Sequence, residues 1–196
     1  MPSLDVISHA TRTGAHAGLR SAESFAFEEA WQEARGERDV PLRADINLRR
    51  FASFARWFAI IEPDPNAALL PFRLTGSGFR EFFGYDLTGV DYLSLADPAI
   101  RTHAYDCVMA CLNTPCGLWQ STPATAADGT IVSYEYTILP IAKAGDRADH
   151  IGIFVNFEQS PLGEVADLAR IEHSSVWHWI DIGQGVPAEA VGNAPF

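Results

Sequence analysis

Ala68–Gly89 reads ALLPFRLTGSGFREFFGYDLTG, and the fold turns on it. Leu70, Phe72 and Leu74 alternate with Arg73 and Thr75, so the stretch opens as a strand with one apolar face. Gly76-Ser77-Gly78 breaks that strand. Phe79, Phe82 and Phe83 then fall at helical spacing, Gly84 stops the turn, and Asp86-Leu87-Thr88-Gly89 is a second turn.

Upstream, Phe54–Ile61 carries Phe54, Phe58 and Ile60 on one side and Trp57 and Ile61 on the other. Two apolar faces predict a strand covered on both sides. Glu62-Pro63-Asp64-Pro65-Asn66 turns the chain, which makes the two strands an antiparallel hairpin. Further back, Asp45 is placed to cap a short helix through Asn47–Arg50. Ser24 is placed to cap a longer one, with Phe27, Ala30, Trp31 and Ala34 on its apolar stripe and Gly36 at its end. That stripe either covers its own domain or meets a second copy. Residues 1–22 are polar, without period, and read as a flexible lead.

Downstream, Asp97-Pro98 predicts a helix start and Pro115 bounds its end near Asn113. Its inner stripe is Ile100, His103, Ala104, Cys107, Val108, Cys111 and Leu112. Gly117–Ala126, with Trp119, reads as a strand. Asp128-Gly129 reads as a hairpin turn. The next strand, Thr130–Ala142, sets Val132, Tyr134, Tyr136 and Ile138 against Ile131, Ser133, Glu135, Thr137 and Leu139. Ile151–Phe157 closes the set. After Pro161, the spacing of Leu162, Val165, Leu168 and Ile171 predicts a helix. Val176–Ile182 is an extra strand or a hydrophobic clip, and Trp177 and Trp179 in it are expected to dock on the sheet or on a partner.

Composition narrows the function. A net charge of −11 disfavours a phosphate backbone and an anionic membrane surface as partners. No run approaches the roughly 20 apolar residues of a membrane span, and no secretory leader is visible. Three cysteines make no disulfide framework. A cytoplasmic protein is expected.

The chemical motifs are thin. Gly76-Ser77-Gly78 follows a strand and opens a helix, but the dinucleotide pattern needs a glycine where Glu81 stands, and no Gly-Lys-Ser/Thr loop exists. His103, Cys107 and Cys111 run four apart with Cys116 beyond them. They are either a soft-metal row or buried small hydrophobes. Asp106 is spaced to orient His103, yet no nucleophile other than Cys107 is near, and no hydrolase or zinc-protease motif appears. No catalytic activity and no metal site are expected.

Two strands, helical pieces, one longer helix and three strands make an α+β order with an antiparallel sheet. The order, together with Trp31, Pro41-Leu42-Arg43-Ala44-Asp45, Phe72-Arg73-Leu74-Thr75-Gly76-Ser77, Gly84–Gly89, Ile138-Leu139-Pro140-Ile141 and Ile151-Gly152, resembles a PAS domain. It is most similar to the small stand-alone bacterial members of alphaproteobacterial type. The resemblance implies a five-stranded antiparallel sheet with helices over one face, an N-terminal helix and a C-terminal extension. It divides the chain into the lead 1–22, a helical segment 23–53, the PAS-like domain 54–158 and the extension 159–196.

The resemblance also implies a sensory module that binds a small ligand and signals through its terminal segments, as a homodimer or to a partner protein, with no output domain of its own. The expected ligand pocket is Phe72, Leu74, Phe79, Phe82, Phe83, Tyr92, His103, Cys107, Trp119, Tyr134, Tyr136 and Phe154. The expected interface is Phe27, Trp31, Trp177 and Trp179. The cofactor stays open. Haem-binding members use a histidine on this long helix, which makes His103 the candidate axial ligand. The alternative is a ligand-free interaction module with a filled core.

Overall fold

The computed structural model describes residues 20–126, 131–156, 168–171 and 176–187. Helix α1 spans Ala22–Arg35, α2 Leu48–Phe51, α3 Ser77–Phe83 and α4 Arg101–Asn113. The strands are β1 Phe58–Ile61, β2 Phe72–Thr75, β3 Gly117–Ala126, β4 Ile131–Ile141, β5 His150–Asn156, β6 Leu168–Ile171 and β7 Val176–Ile180. One antiparallel sheet joins them in the order β2-β1-β5-β4-β3, and β6 and β7 lie end to end along the outer edge of β3.

Several local expectations are corrected. Ser21, not Ser24, caps α1, its hydroxyl accepting from the Ser24 amide. Asn47 caps α2 in place of Asp45. Only Phe58–Ile61 of the first predicted strand is extended, because Ala55–Trp57 forms a 3-10 turn. Asp97 closes a turn with the Ala99 amide, and α4 begins four residues later. Leu168–Ile171 is strand, not helix. Val176–Ile180 is the extra strand. Residues 1–19 of the lead, the Asp128-Gly129 turn, Phe157, Leu162 and Val165 lie outside the described residues.

Gly76 shows why the central glycines are needed. A Cβ there would sit 2.0 Å from the Ala55 carbonyl oxygen and 2.4 Å from that of Arg56, and Gly76 donates its amide to Phe58 at 2.8 Å. The start of α3 is thus pressed onto the 3-10 turn before β1. Gly84, at φ +78°, then ends α3 in the left-handed region.

The sheet has two covered faces. The inner face carries Ala59, Ile61, Phe72, Leu118, Tyr134, Tyr136, Ile138, Ile153 and Val155 against α3, the 3-10 turn Tyr92–Leu95 and α4. The outer face carries Phe58, Ile60, Trp119, Leu139, Ile141 and Phe154 against α1 and α2. Helices therefore lie over both faces, since the N-terminal helix roofs the second one. Phe27 stacks on Phe154 at 5.3 Å and meets Phe54 edge-on at 5.5 Å. Trp31 is fully buried and donates its indole N–H to the Pro140 carbonyl at 2.8 Å. Phe27 and Trp31 are consequently core residues of their own chain and not an interface, because α1 spends its apolar stripe on the sheet.

Trp31→Ala removes a fully buried indole and its hydrogen bond, so urea denaturation should show a loss of about 3–5 kcal/mol in unfolding free energy.

Candidate functional site

Strand alternation sorts the polar groups of the sheet. On the outer face they gather at the start of α1. Glu135 Oε1 accepts from the Ser21 amide at 3.0 Å and from the Trp119 indole N–H. The Ser24 hydroxyl meets the Thr137 hydroxyl, and Asn156 Nδ2 donates to Ser21 Oγ at 3.2 Å. Arg20 donates Nε to Ser24 Oγ at 2.7 Å and pairs with Glu28 at 2.7 Å. A carboxylate beside the first amides of a helix is stabilised by the orphan N–H groups and the dipole there.

The inner face is different. Tyr92, Tyr134 and Tyr136 are buried together, with the Tyr136 hydroxyl donating to Tyr134 at 3.1 Å and the Tyr134 and Tyr136 rings 4.9 Å apart. Burial, then the neighbouring phenols, hold the Tyr92 and Tyr136 hydroxyls well above the usual phenol range. The Tyr92 ring meets Phe72 edge-on at 5.9 Å, and Phe72 lies 6.3 Å from Phe79. Beside this aromatic group, α4 buries Cys107 and Cys111, with Cys116 just past its end. Burial, Asp106 and Cys116 push the Cys107 thiol up to about 12. The hydrogen bond to Cys116, followed by burial, pushes Cys111 up as well. Cys107, Cys111 and Cys116 are all buried and pack as small apolar side chains.

The expected pocket therefore divides. Phe72, Phe79, Tyr92, Cys107, Tyr134 and Tyr136 share the inner face. Phe83 packs against it half-buried. Phe82 is half-buried beside Trp57, at 6.3 Å. Leu74 is 42% exposed and leaves the set, because β2 is an edge strand whose second half is uncovered. Trp119 and Phe154 belong to the outer face, where Trp119 lies 5.0 Å from the His178 ring. His103 is half-buried in the first turn of α4, with its Nε2 directed at Cys107 Sγ at 3.6 Å. An iron bound at Nε2 would have to displace that thiol, so the pair does not favour haem. Among the described residues no group of three or more His, Cys, Asp or Glu is placed to hold a metal ion.

Two inner-face residues were absent from the expected set. Gln120 and Thr122 are wholly buried on β3, opposite Tyr136 and Tyr134 on β4. Gln120 Nε2 donates to the Thr122 hydroxyl at 3.0 Å. Their signal in the sequence is parity, since both stand two residues apart on one side of the strand.

Trp177 and Trp179 are half-buried on β7, their rings 5.8 Å apart and edge-on. They pair with Gln120 and Leu118 and pack against the inner-face core, so they dock on their own sheet. Between α1 and β7 runs an open groove of about 720 Å³, lined in part by Arg20, Glu28, Glu33, Arg35 and Asp181.

A family model described as PAS domain matches residues 19–155, well over half of the chain. No curated protein matches. Among solved structures, the chain is similar to the LOV protein of Rhodobacter sphaeroides, at 17% identity and a TM-score of 0.41, over 58% of this chain and 64% of that one. It is also similar to a PAS domain from Colwellia psychrerythraea, at 18% identity and a TM-score of 0.38, over 55% and 92%. A third is Vibrio cholera VqmA in complex with ligand and DNA, at 14% and 0.43, over 57% and 51%. The chain spans less than two thirds of the Rhodobacter and Vibrio proteins, and likenesses this weak bear on no ligand or partner.

Two consequences of the buried thiols and phenols are measurable. A thiol reagent at pH 8 should label none of the three cysteines in the folded protein and all three in urea. Unfolding free energy should fall as pH rises from 9.0 towards about 12, because the unfolded chain releases the Cys107 proton near 9.0 while the folded chain keeps it. Cys107→Ala should flatten part of that fall in pH-resolved denaturation.

Proposed function

Since the chain belongs to the PAS domain family, we propose that it is a non-catalytic sensory module whose small-molecule ligand sits between α4 and the inner face of the sheet. The observation that carries this reading is the tyrosine row. Two buried phenols on the inner sheet face and a third, Tyr92, on the 3-10 turn packed against it give a ligand both contact area and orienting hydroxyls.

Strand β4 supplies the route outward. Its inward residues Tyr134 and Tyr136 alternate with Glu135 and Thr137, which hold the start of α1. A ligand that shifts Tyr136 shifts the strand that carries Glu135, and so biases how α1 is seated. The signal would pass to a second copy or a partner protein through α1 and the neighbouring groove beside β7. We place the protein in the cytoplasm of a bacterial cell. No helix among the described residues is long and apolar enough to cross a membrane.

The test is ligand-dependent stabilisation, which grows as RT ln(1 + [L]/Kd). A panel of metabolites, flavins and haem should contain at least one compound that raises the melting temperature of the wild-type protein. Tyr136→Phe should weaken that compound by about five- to tenfold in calorimetric titration. A panel without any shift would leave the fold intact and remove the receptor role.

A further inference from the structure

Every buried residue of charged or imidazole type among the described residues, Arg20, Glu135 and His150, lies on or beside the outer face. Among the described residues, the fully buried polar side chains on the inner side are neutral, namely the Tyr134 and Tyr136 phenols, the Tyr92 phenol packed on them, the Thr122 hydroxyl and the Gln120 amide, with the His103 imidazole half-buried at the margin beside Cys107. Gln120 is wholly screened from water. Its Nε2 is engaged by Thr122, and its carbonyl oxygen has no hydrogen-bond partner. A buried carbonyl left unpaired is costly, so native cores rarely keep one. Tyr136 flanks Gln120 on the β4 side and Trp177 on the β7 side, and both rings face the same way as the amide. The arrangement is an aromatic surface with one unspent acceptor.

We propose, resting on the receptor reading above, that the inner face takes an uncharged, flat, largely apolar molecule that donates one hydrogen bond to Gln120 Oε1. Neutrality follows from the sorting of charges. An ionised ligand would lose its hydration with no fully buried counter-charge on this face, since the thiols and phenols there hold their protons and His103 stands only at the margin. Flatness follows from the rings on either side of the amide, which favour stacked and edge-on contacts. The need for a donor follows from the carbonyl end of the amide, the end left without any partner while Nε2 is engaged by Thr122.

Indole has one ring N–H and no charge, and 1-methylindole differs from it only in lacking that donor. Titrated calorimetrically into the full-length protein, indole should bind, and 1-methylindole should bind at least about tenfold more weakly. In Gln120→Leu, or the near-isosteric Gln120→Met should that variant not fold, the two probes should bind alike. Equal binding of both probes to the wild-type protein, or no binding of indole, overturns the assignment. A carboxylate or phosphate compound as the best hit of the broad panel overturns it too, while leaving the receptor role standing. Only a panel without any hit removes both.

Discussion

The buried carboxylate of Glu135 is the joint on which the molecule depends. It takes the Ser21 amide at the start of α1 and the Trp119 indole on the neighbouring strand, so one side chain fixes a helix and two strands together. Around it, Ser24, Thr137 and Asn156 complete a polar patch in a largely apolar outer face. The apolar stripe of α1 supplies the contact energy. The patch supplies the register, because a helix slid by one turn would take the Ser21 amide away from the buried Glu135 and leave it with the Trp119 indole alone. The same alternation that points Glu135 outward points Tyr134 and Tyr136 inward. Anchoring and the candidate ligand surface are thus two sides of one strand.

Much of this was legible in the sequence. The alternation in Leu70–Thr75, the glycine break at Gly76-Ser77-Gly78, the helical spacing of Phe79, Phe82 and Phe83 and the stripe of α4 are local patterns, and local patterns survive into the structure. The strand order and the tyrosine face follow from them with the family resemblance. Long-range parity did not follow. A two-residue turn at Asp128-Gly129 would pair Trp119 with Ile138 and put Trp119 among the tyrosines. The observed register pairs it with Thr137, one residue away. A one-residue slip moves every side chain to the opposite face. It carries Trp119 to Glu135 and His178, and it brings Gln120 and Thr122 inside.

The chain ends were the other weak point, for a different reason. Leu162, Val165, Leu168 and Ile171 have helical spacing, yet Leu168–Ile171 pairs with β3. Four-residue spacing over so short a segment cannot compete with an open sheet edge that offers backbone hydrogen bonds. Phe27 and Trp31 posed the reverse problem. Their periodicity predicted the helix correctly but was silent on what the stripe would face, which is the outer face of the sheet.

Both edges of the five-strand set β2-β1-β5-β4-β3 are partly covered by the chain itself. Along β3 the covering strands are β6 and β7. Along β2 the segment around Gly89–Tyr92 takes the place of a neighbour, with Phe72 exchanging hydrogen bonds with Val90 and Gly89, and Tyr92 donating to Leu70. Lateral growth by strand addition is thereby confined to the outer edges of β6 and β7 and to the exposed second half of β2. Elsewhere, assembly with another molecule is left to side-chain surfaces, which can be adjusted by substitution without disturbing the ladder beneath them.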